Sequence, residues 1–164
     1  MNRPKQIGTK GESDIVRWVR PRGFSGAERL ALHGTHDEGD GTLCPGVGFE
    51  SKAGKAAERA SDRQIAKWCA EAETERFNRN ADVMLLVVKR AGKGALSAGQ
   101  WSVYLPGRTF AWLATVVGKY TGAADYLPGL PEVRITLDEA LILLRGAGYG
   151  DTLEVQATIK KGTE

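Results

Sequence analysis

The chain has 164 residues, 41% of them hydrophobic and 26% charged, which is the length and balance of one ordinary domain with its own core and indicates neither a disordered nor a fibrous chain. Its longest apolar run, Val83 to Val88, is far short of the roughly 18 residues a membrane helix needs, and the basic N-terminus runs into Gly8-Thr9-Lys10-Gly11-Glu12 with no signal-like apolar stretch; both point to the cytoplasm. The formal charge of +3, from 23 basic and 20 acidic residues, is too balanced to announce nucleic-acid binding.

Thr9 and Glu12 fit a capping box, and Ile15, Val16 and Val19 follow at helical spacing, which predicts a first helix from Thr9 to Arg20, stopped by Pro21. Residues 27–32 read as a short strand, although helix formers dominate them. From His33 to Gly41 the chain is loop-like, glycine-rich and acidic, and it holds both histidines. Thr42 to Cys44, the turn Pro45-Gly46 and Val47 to Lys52 read as a β-hairpin. Ser61 with Gln64 caps a second helix to Asn78, along which Ile65, Trp68, Cys69 and Ala72 form a stripe suited to core or to a dimer interface. Val83 to Lys89 is a buried central strand and Trp101 to Leu105 another. A glycine-rich loop separates them, and Phe110 to Tyr120 follows as a helix. After turns at Leu127-Pro128-Gly129 and Leu130-Pro131, Thr136-Leu137-Asp138-Glu139 opens a last helix to Arg145. The order argues for a single mixed sheet covered by helices. Cys44 and Cys69 form no C-x-x-C unit and read as buried thiols.

Charge is unevenly spread. Residues 1–100 hold 17 Lys and Arg against 13 Asp and Glu, whereas residues 101–164 hold 6 against 7. Lys10, Arg22 and Arg29, with His33 in the loop, are candidate phosphate contacts, or else ordinary surface charge. Glu50 and Lys52 stand two apart in a strand, so both leave the same face with alpha carbons roughly 6.6 Å apart. Alone, such a pair fits a solvated strand edge as well as a site. Asp40 arrives by the preceding strand, and Glu12, if it is more than a helix cap, lies on the first helix. Two carboxylates and a backbone carbonyl, here that of Ser51, make a partial shell for a hard divalent cation, beside which Lys52 could orient water or stabilise developing charge. Asp37 could replace Asp40 in that shell; His33 and His36 lack the further ligands of a zinc site.

Register decides whether the group can assemble. A plain two-residue turn at Pro45-Gly46 would pair Asp40 with Ser51 and turn it away from Glu50 and Lys52. A longer turn, or a bulge near Gly41 or Gly48, would pair Asp40 with Lys52 on a common face, and that arrangement is expected.

Glu12, Gly39-Asp40, Pro45-Gly46-Val47 and Glu50-Ser51-Lys52 resemble the PD-(D/E)XK nuclease pattern. Lys10-Gly11-Glu12, Ala31-Leu32-His33-Gly34, Gly39-Asp40 and Pro45-Gly46-Val47 look like the small Holliday junction resolvases of phages and actinobacteria, over a stretch from Ile7 to Lys119. Gly41 stands where those proteins usually have an apolar residue, and Ser51 and Ala53 replace a more common Val and Asn. The resemblance implies a restriction-endonuclease-like mixed sheet flanked by helices, an αβββαβ core over residues 1–120, with a C-terminal extension over 121–164 packed on the core or on a dimer interface. It implies a dimeric endonuclease that nicks branched DNA with Mg2+ or Mn2+. Asp40 and Glu50 would bind the metal, Lys52 would assist and Glu12 would complete the site. A restriction, repair or flap nuclease, or a DNA-binding module without activity, is the alternative.

Overall fold

The computed structural model of the chain describes residues 3–30, 38–118 and 131–152. Helix α1 (Arg3–Val19) leads through a 3-10 turn (Arg20–Arg22) to β1 (Glu28–Arg29), β2 (Gly41–Cys44) and β3 (Val47–Lys52). A one-turn helix α2 (Lys55–Glu58) and the long α3 (Asp62–Asn78) precede β4 (Val83–Val88). A 3-10 segment (Ala95–Gln100), β5 (Ser102–Leu105), α4 (Gly107–Gly118), β6 (Val133–Thr136) and α5 (Leu137–Gly146) follow among the described residues. The six strands lie side by side in sequence order. Among the described residues only β3 and β4 are parallel, and α3 supplies the crossover a parallel pair requires.

The architecture is a mixed sheet, mostly antiparallel, covered on both faces, and β4 shows why. All six of its residues are buried. Val83, Leu85 and Val87 point into a large core with Ile15, Val16 and Val19 of α1, Leu113 of α4 and Leu137, Leu141 and Leu144 of α5. Met84, Leu86 and Val88 point the other way, to Ile65, Cys69 and Ala72 of α3 and Ala57 of α2. A continuous apolar run is what a strand buried on both faces needs. No helix among the described residues is long and apolar enough to cross a membrane.

Three expectations change. Helix α1 begins at Arg3, with Pro4 in its first turn where a missing amide hydrogen costs nothing. Thr9 therefore lies inside the helix, its carbonyl accepting from the Ser13 hydroxyl at 2.8 Å, and caps nothing. Strand β6 was not anticipated: Val133-Arg134-Ile135-Thr136 is too short for its alternation to stand out beside the capping signal that follows. It pairs with β5, and α5 buries Leu137 and Leu144 completely, so residues 133–146 belong to the same sheet and the larger core. The turn signals at Leu127–Leu130 and most of the loop from His33 lie outside the described residues. The Thr136 capping box is present in full, and Ser61 caps α3 by accepting from the Gln64 amide.

Candidate active site

The β2–β3 hairpin keeps its two-residue turn, with Gly46 at φ +81. Cys44 pairs with Val47, but Thr42 pairs with Gly48 and Gly41 with Phe49. The extra residue is Leu43, a bulge whose side chain is wholly buried in the larger core. The ladder ends at Gly41, and beyond it the Asp40 amide donates to the Phe49 carbonyl at 3.1 Å. The bulge was expected near Gly41 or Gly48, with Asp40 opposite Lys52. It sits instead at Leu43 and shifts the register the other way, and Asp40 lies outside the paired residues, meeting β3 through its carboxylate.

Gly41 and Gly48 have other duties. A Cβ on Gly41 would lie 2.3 Å from the Phe49 ring and 2.6 Å from the Glu28 carbonyl oxygen, so the aromatic ring covers the glycine and no apolar side chain fits there. A Cβ on Gly48 would lie 2.5 Å from Arg79 Nη1. Across that gap Arg79, at the end of α3, donates to the carbonyls of Glu38 at 3.2 Å and Gly41 at 2.8 Å. It grips the backbone on both sides of Gly39-Asp40. The Asp40 carbonyl accepts from the Leu30 amide at 2.9 Å, and its carboxylate Oδ2 accepts from the Ser51 amide at 2.8 Å. Asp40 is thus held by β1, β3 and α3 together.

Glu50, 7% exposed, emerges on the α3 face beside Leu86, and Lys52 beside Val88. Lys52 Nζ pairs with Glu50 Oε1 and lies 5.8 Å from the centroid of the Trp68 ring. Glu75, 5% exposed, comes from the same helix two turns on, with Oε2 3.4 Å from where a Gly39 Cβ would be. From the opposite layer α1 approaches the end of β3 closely, because Gly11 has no side chain: a Cβ there would be 2.8 Å from the Ala53 Cβ and 3.3 Å from Ser51 Oγ. That approach brings Glu12 toward Asp40. Glu12 serves no cap; its carboxylate pairs with Arg29 of β1 at 2.7 Å.

The crowding is visible in the ionisation. Burial, then the charge of Glu50 and to a lesser degree that of Glu12, push the Asp40 carboxyl from an ordinary 3.8 up to about 7, against the opposing Ser51 amide and Lys52 ammonium. Burial works against the charged form of Lys52, yet its pKa is raised, because the hydrogen bond and charge of Glu50 outweigh burial, helped by Asp40 and Glu75. Too much negative charge for one lysine is what a divalent cation would relieve. The donors suit Mg2+ or Mn2+: carboxylate oxygens of Asp40 and Glu50, and the Ser51 carbonyl, which by strand geometry points to the β2 side as the Ser51 amide does. Among the described residues no three acidic, His or Cys side chains stand gathered around one point, and each carboxylate is turned to a partner of its own: Asp40 to the Ser51 amide, Glu50 to Lys52, Glu12 to Arg29.

The remaining candidates are dispersed. Lys10 is exposed and pairs with Asp14 at 3.2 Å. Arg22 lies in the 3-10 turn beyond the end of α1. It stacks over Trp18 at 3.6 Å, donates to the Trp18 carbonyl at 2.8 Å and lies 3.7 Å from Asp138; its guanidinium serves the α1–α5 junction, away from Asp40. His33, His36 and Asp37 are outside the described residues. Arg79, Glu75 and Trp68 were not singled out for the site. For Glu75 the signal was available: with Ile65, Cys69 and Ala72 it completes the buried face of α3, where helical period calls for an apolar residue. Comparison with models of known protein families, with curated proteins and with solved structures finds no match.

Proposed function

We propose that the chain is a metal-dependent endonuclease of restriction-endonuclease-like fold that hydrolyses phosphodiester bonds in branched DNA, four-way junctions first among them. One observation carries the reading: the Asp40 carboxylate reaches β3 between Glu50 and Lys52, accepting from the Ser51 amide at 2.8 Å and feeling the charges of both neighbours. The order α1, β1 to β3, α3, β4 is consistent with the αβββαβ core that the resemblance implies.

Asp40, Glu50 and the Ser51 carbonyl would hold Mg2+ or Mn2+, which when bound polarises a phosphoryl oxygen and acidifies a coordinated water. Lys52, anchored beside Glu50, supplies a positive charge where the pentavalent transition state accumulates negative charge, or orients the attacking water. Glu12 adds a carboxylate from α1 that can accept a proton or fix a water. Arg29, next to Glu12, would meet a phosphate flanking the scissile one. Symmetric nicks across a junction need two such sites, hence a homodimer.

Four-way junctions, flaps and linear duplex, end-labelled and incubated with MgCl2, test this directly. Paired nicks in the junction, lost in Glu50→Gln and Lys52→Met, are expected. Metal-dependent cleavage of flap or duplex in preference to the junction would move the substrate to repair or restriction. Binding with no metal-dependent product would leave a DNA-binding module.

A further inference from the structure

Lys52 and Glu50 cannot keep their present contact unchanged if Glu50 also serves a divalent cation. The ammonium now rests on Glu50 Oε1, and a cation drawn to that carboxylate repels it. A lysine that loses its carboxylate in a half-buried site must find other stabilisation or leave it. The Trp68 ring, with Lys52 Nζ 5.8 Å from its centroid, lies within the roughly 6 Å over which a ring face attracts an ammonium. The ring is also fixed: Trp68 packs against the cluster of Ile65, Cys69, Met84, Leu86 and Val88 beneath α3. Glu75, on the same stripe of α3, adds a buried negative charge that acts on Lys52.

We infer that Trp68 is a positioning residue for Lys52, holding the ammonium in the site through its ring face when Glu50 is engaged by a divalent cation. This rests on the nuclease reading above and adds α3 to the working parts of the site. The apolar stripe that buries the helix thereby also presents an aromatic face to the E-x-K lysine.

Two measurements on the full chain test it. Tryptophan emission is followed while MgCl2 alone is titrated into wild type, Trp68→Phe and Lys52→Met. Wild type should show a saturable change clearly larger than that left in Trp68→Phe, where only Trp18, Trp101 and Trp112 emit, and larger than that in Lys52→Met, which lacks the ammonium beside the ring. A change as large as that of wild type in either variant overturns the inference. Junction cleavage supplies the second readout. Trp68→Leu should lose about tenfold in kcat with KM within about twofold, and Trp68→Phe, which keeps a ring face, should stay within about threefold of wild type. A wild type that cleaves with Mg2+ beside a folded Trp68→Leu of full kcat sinks the inference and leaves the nuclease standing. A wild type that neither cleaves nor changes emission with Mg2+ sinks both. If Trp68→Leu melts at the assay temperature, the emission of Trp68→Phe and Lys52→Met still decides.

Discussion

Two glycines of α1 should respond to alanine with opposite signs. Gly8 and Gly11 share a 17-residue helix, and in either an alanine gains about 1 kcal/mol of helix propensity. At Gly8 the new Cβ meets only Glu12 Oε1 at 3.7 Å, an ordinary contact, so Gly8→Ala should stabilise by about that amount. At Gly11 the Cβ falls 2.8 Å from the Ala53 Cβ, whereas carbon atoms rest at about 3.5 to 4.0 Å, and α1 must back away by about 1 Å. Overpacking of this kind costs about 1 to 3 kcal/mol, so Gly11→Ala should come out about 1 kcal/mol less stable than wild type and about 2 kcal/mol below Gly8→Ala. With a urea slope of about 2 kcal/mol per molar, their midpoints should lie about 1 M apart. The same retreat carries Glu12 from Asp40, and a 1 Å misplacement at a site can cost about 100-fold in rate. Junction cleavage should therefore fall in Gly11→Ala and stay at wild-type level in Gly8→Ala. Equal midpoints would refute the close approach of α1 to β3; a lowered midpoint with undiminished cleavage would remove Glu12 from the machinery.

Gly41→Ala drives a Cβ into the Phe49 ring and the Glu28 carbonyl and should cost about 3 kcal/mol by urea unfolding, while Gly26→Ala, with nothing within 4 Å, stays within about 0.5 kcal/mol of wild type. Arg79→Ala removes both grips on the Asp40 backbone, which come from the single Nη1, and should lower cleavage. Burial pushes the Cys69 thiol up to about 11 and raises that of Cys44, which at pH 8 leaves about one Cys69 in a thousand as thiolate. Cys69 is buried whereas Cys44, expected buried too, is only half-buried, so Cys69 should not react with a chromogenic disulfide within minutes until urea unfolds the chain; its fast native reaction would contradict the burial. Junction DNA should bind more tightly with Mg2+ or Ca2+ than with EDTA at equal ionic strength, and gel shifts of unchanged or greater affinity in EDTA would refute the charge account given below.

Most of the sheet was legible because its strongest signals are local. Val83 to Val88 announces a two-faced strand, and Ser61 and Thr136 announce helix starts by chemistry that acts over one turn. What escaped was set by partners remote in sequence. Thr9 and Glu12 form a valid capping pattern, but the helix already runs through them, and Glu12 turns to Arg29, seventeen residues away on a strand. The need for a bulge followed from side-chain alternation alone, since Asp40 and Glu50 meet only if the count between them is corrected by one residue. Its position did not, because Leu43 is taken into the larger core by residues remote in sequence. Gly41 read as a departure from the family pattern until Phe49 was seen lying across it. Arg79 reads as one more charge at a helix end, and nothing local in the sequence ties it to Gly48.

The internal pairing of the acids revises what the net charge of +3 means. Read from the sequence, Glu12, Asp40 and Glu50 are three negative charges that a metal would cancel, leaving an effective +6. In the fold two of them are already countered, Glu12 by Arg29 and Glu50 by Lys52, while Asp40 is crowded toward its protonated form. Those internal pairs, with the crowding on Asp40, lower the cost of half-burying the acids. A divalent cation held by Asp40 and Glu50 would then do more than add two charges. By competing for Glu50 it would loosen Lys52 from its carboxylate, and that ammonium would become available to phosphate. The ion pair that steadies Glu50 would thus make DNA affinity depend on the metal, with Lys52 as the group through which the dependence acts.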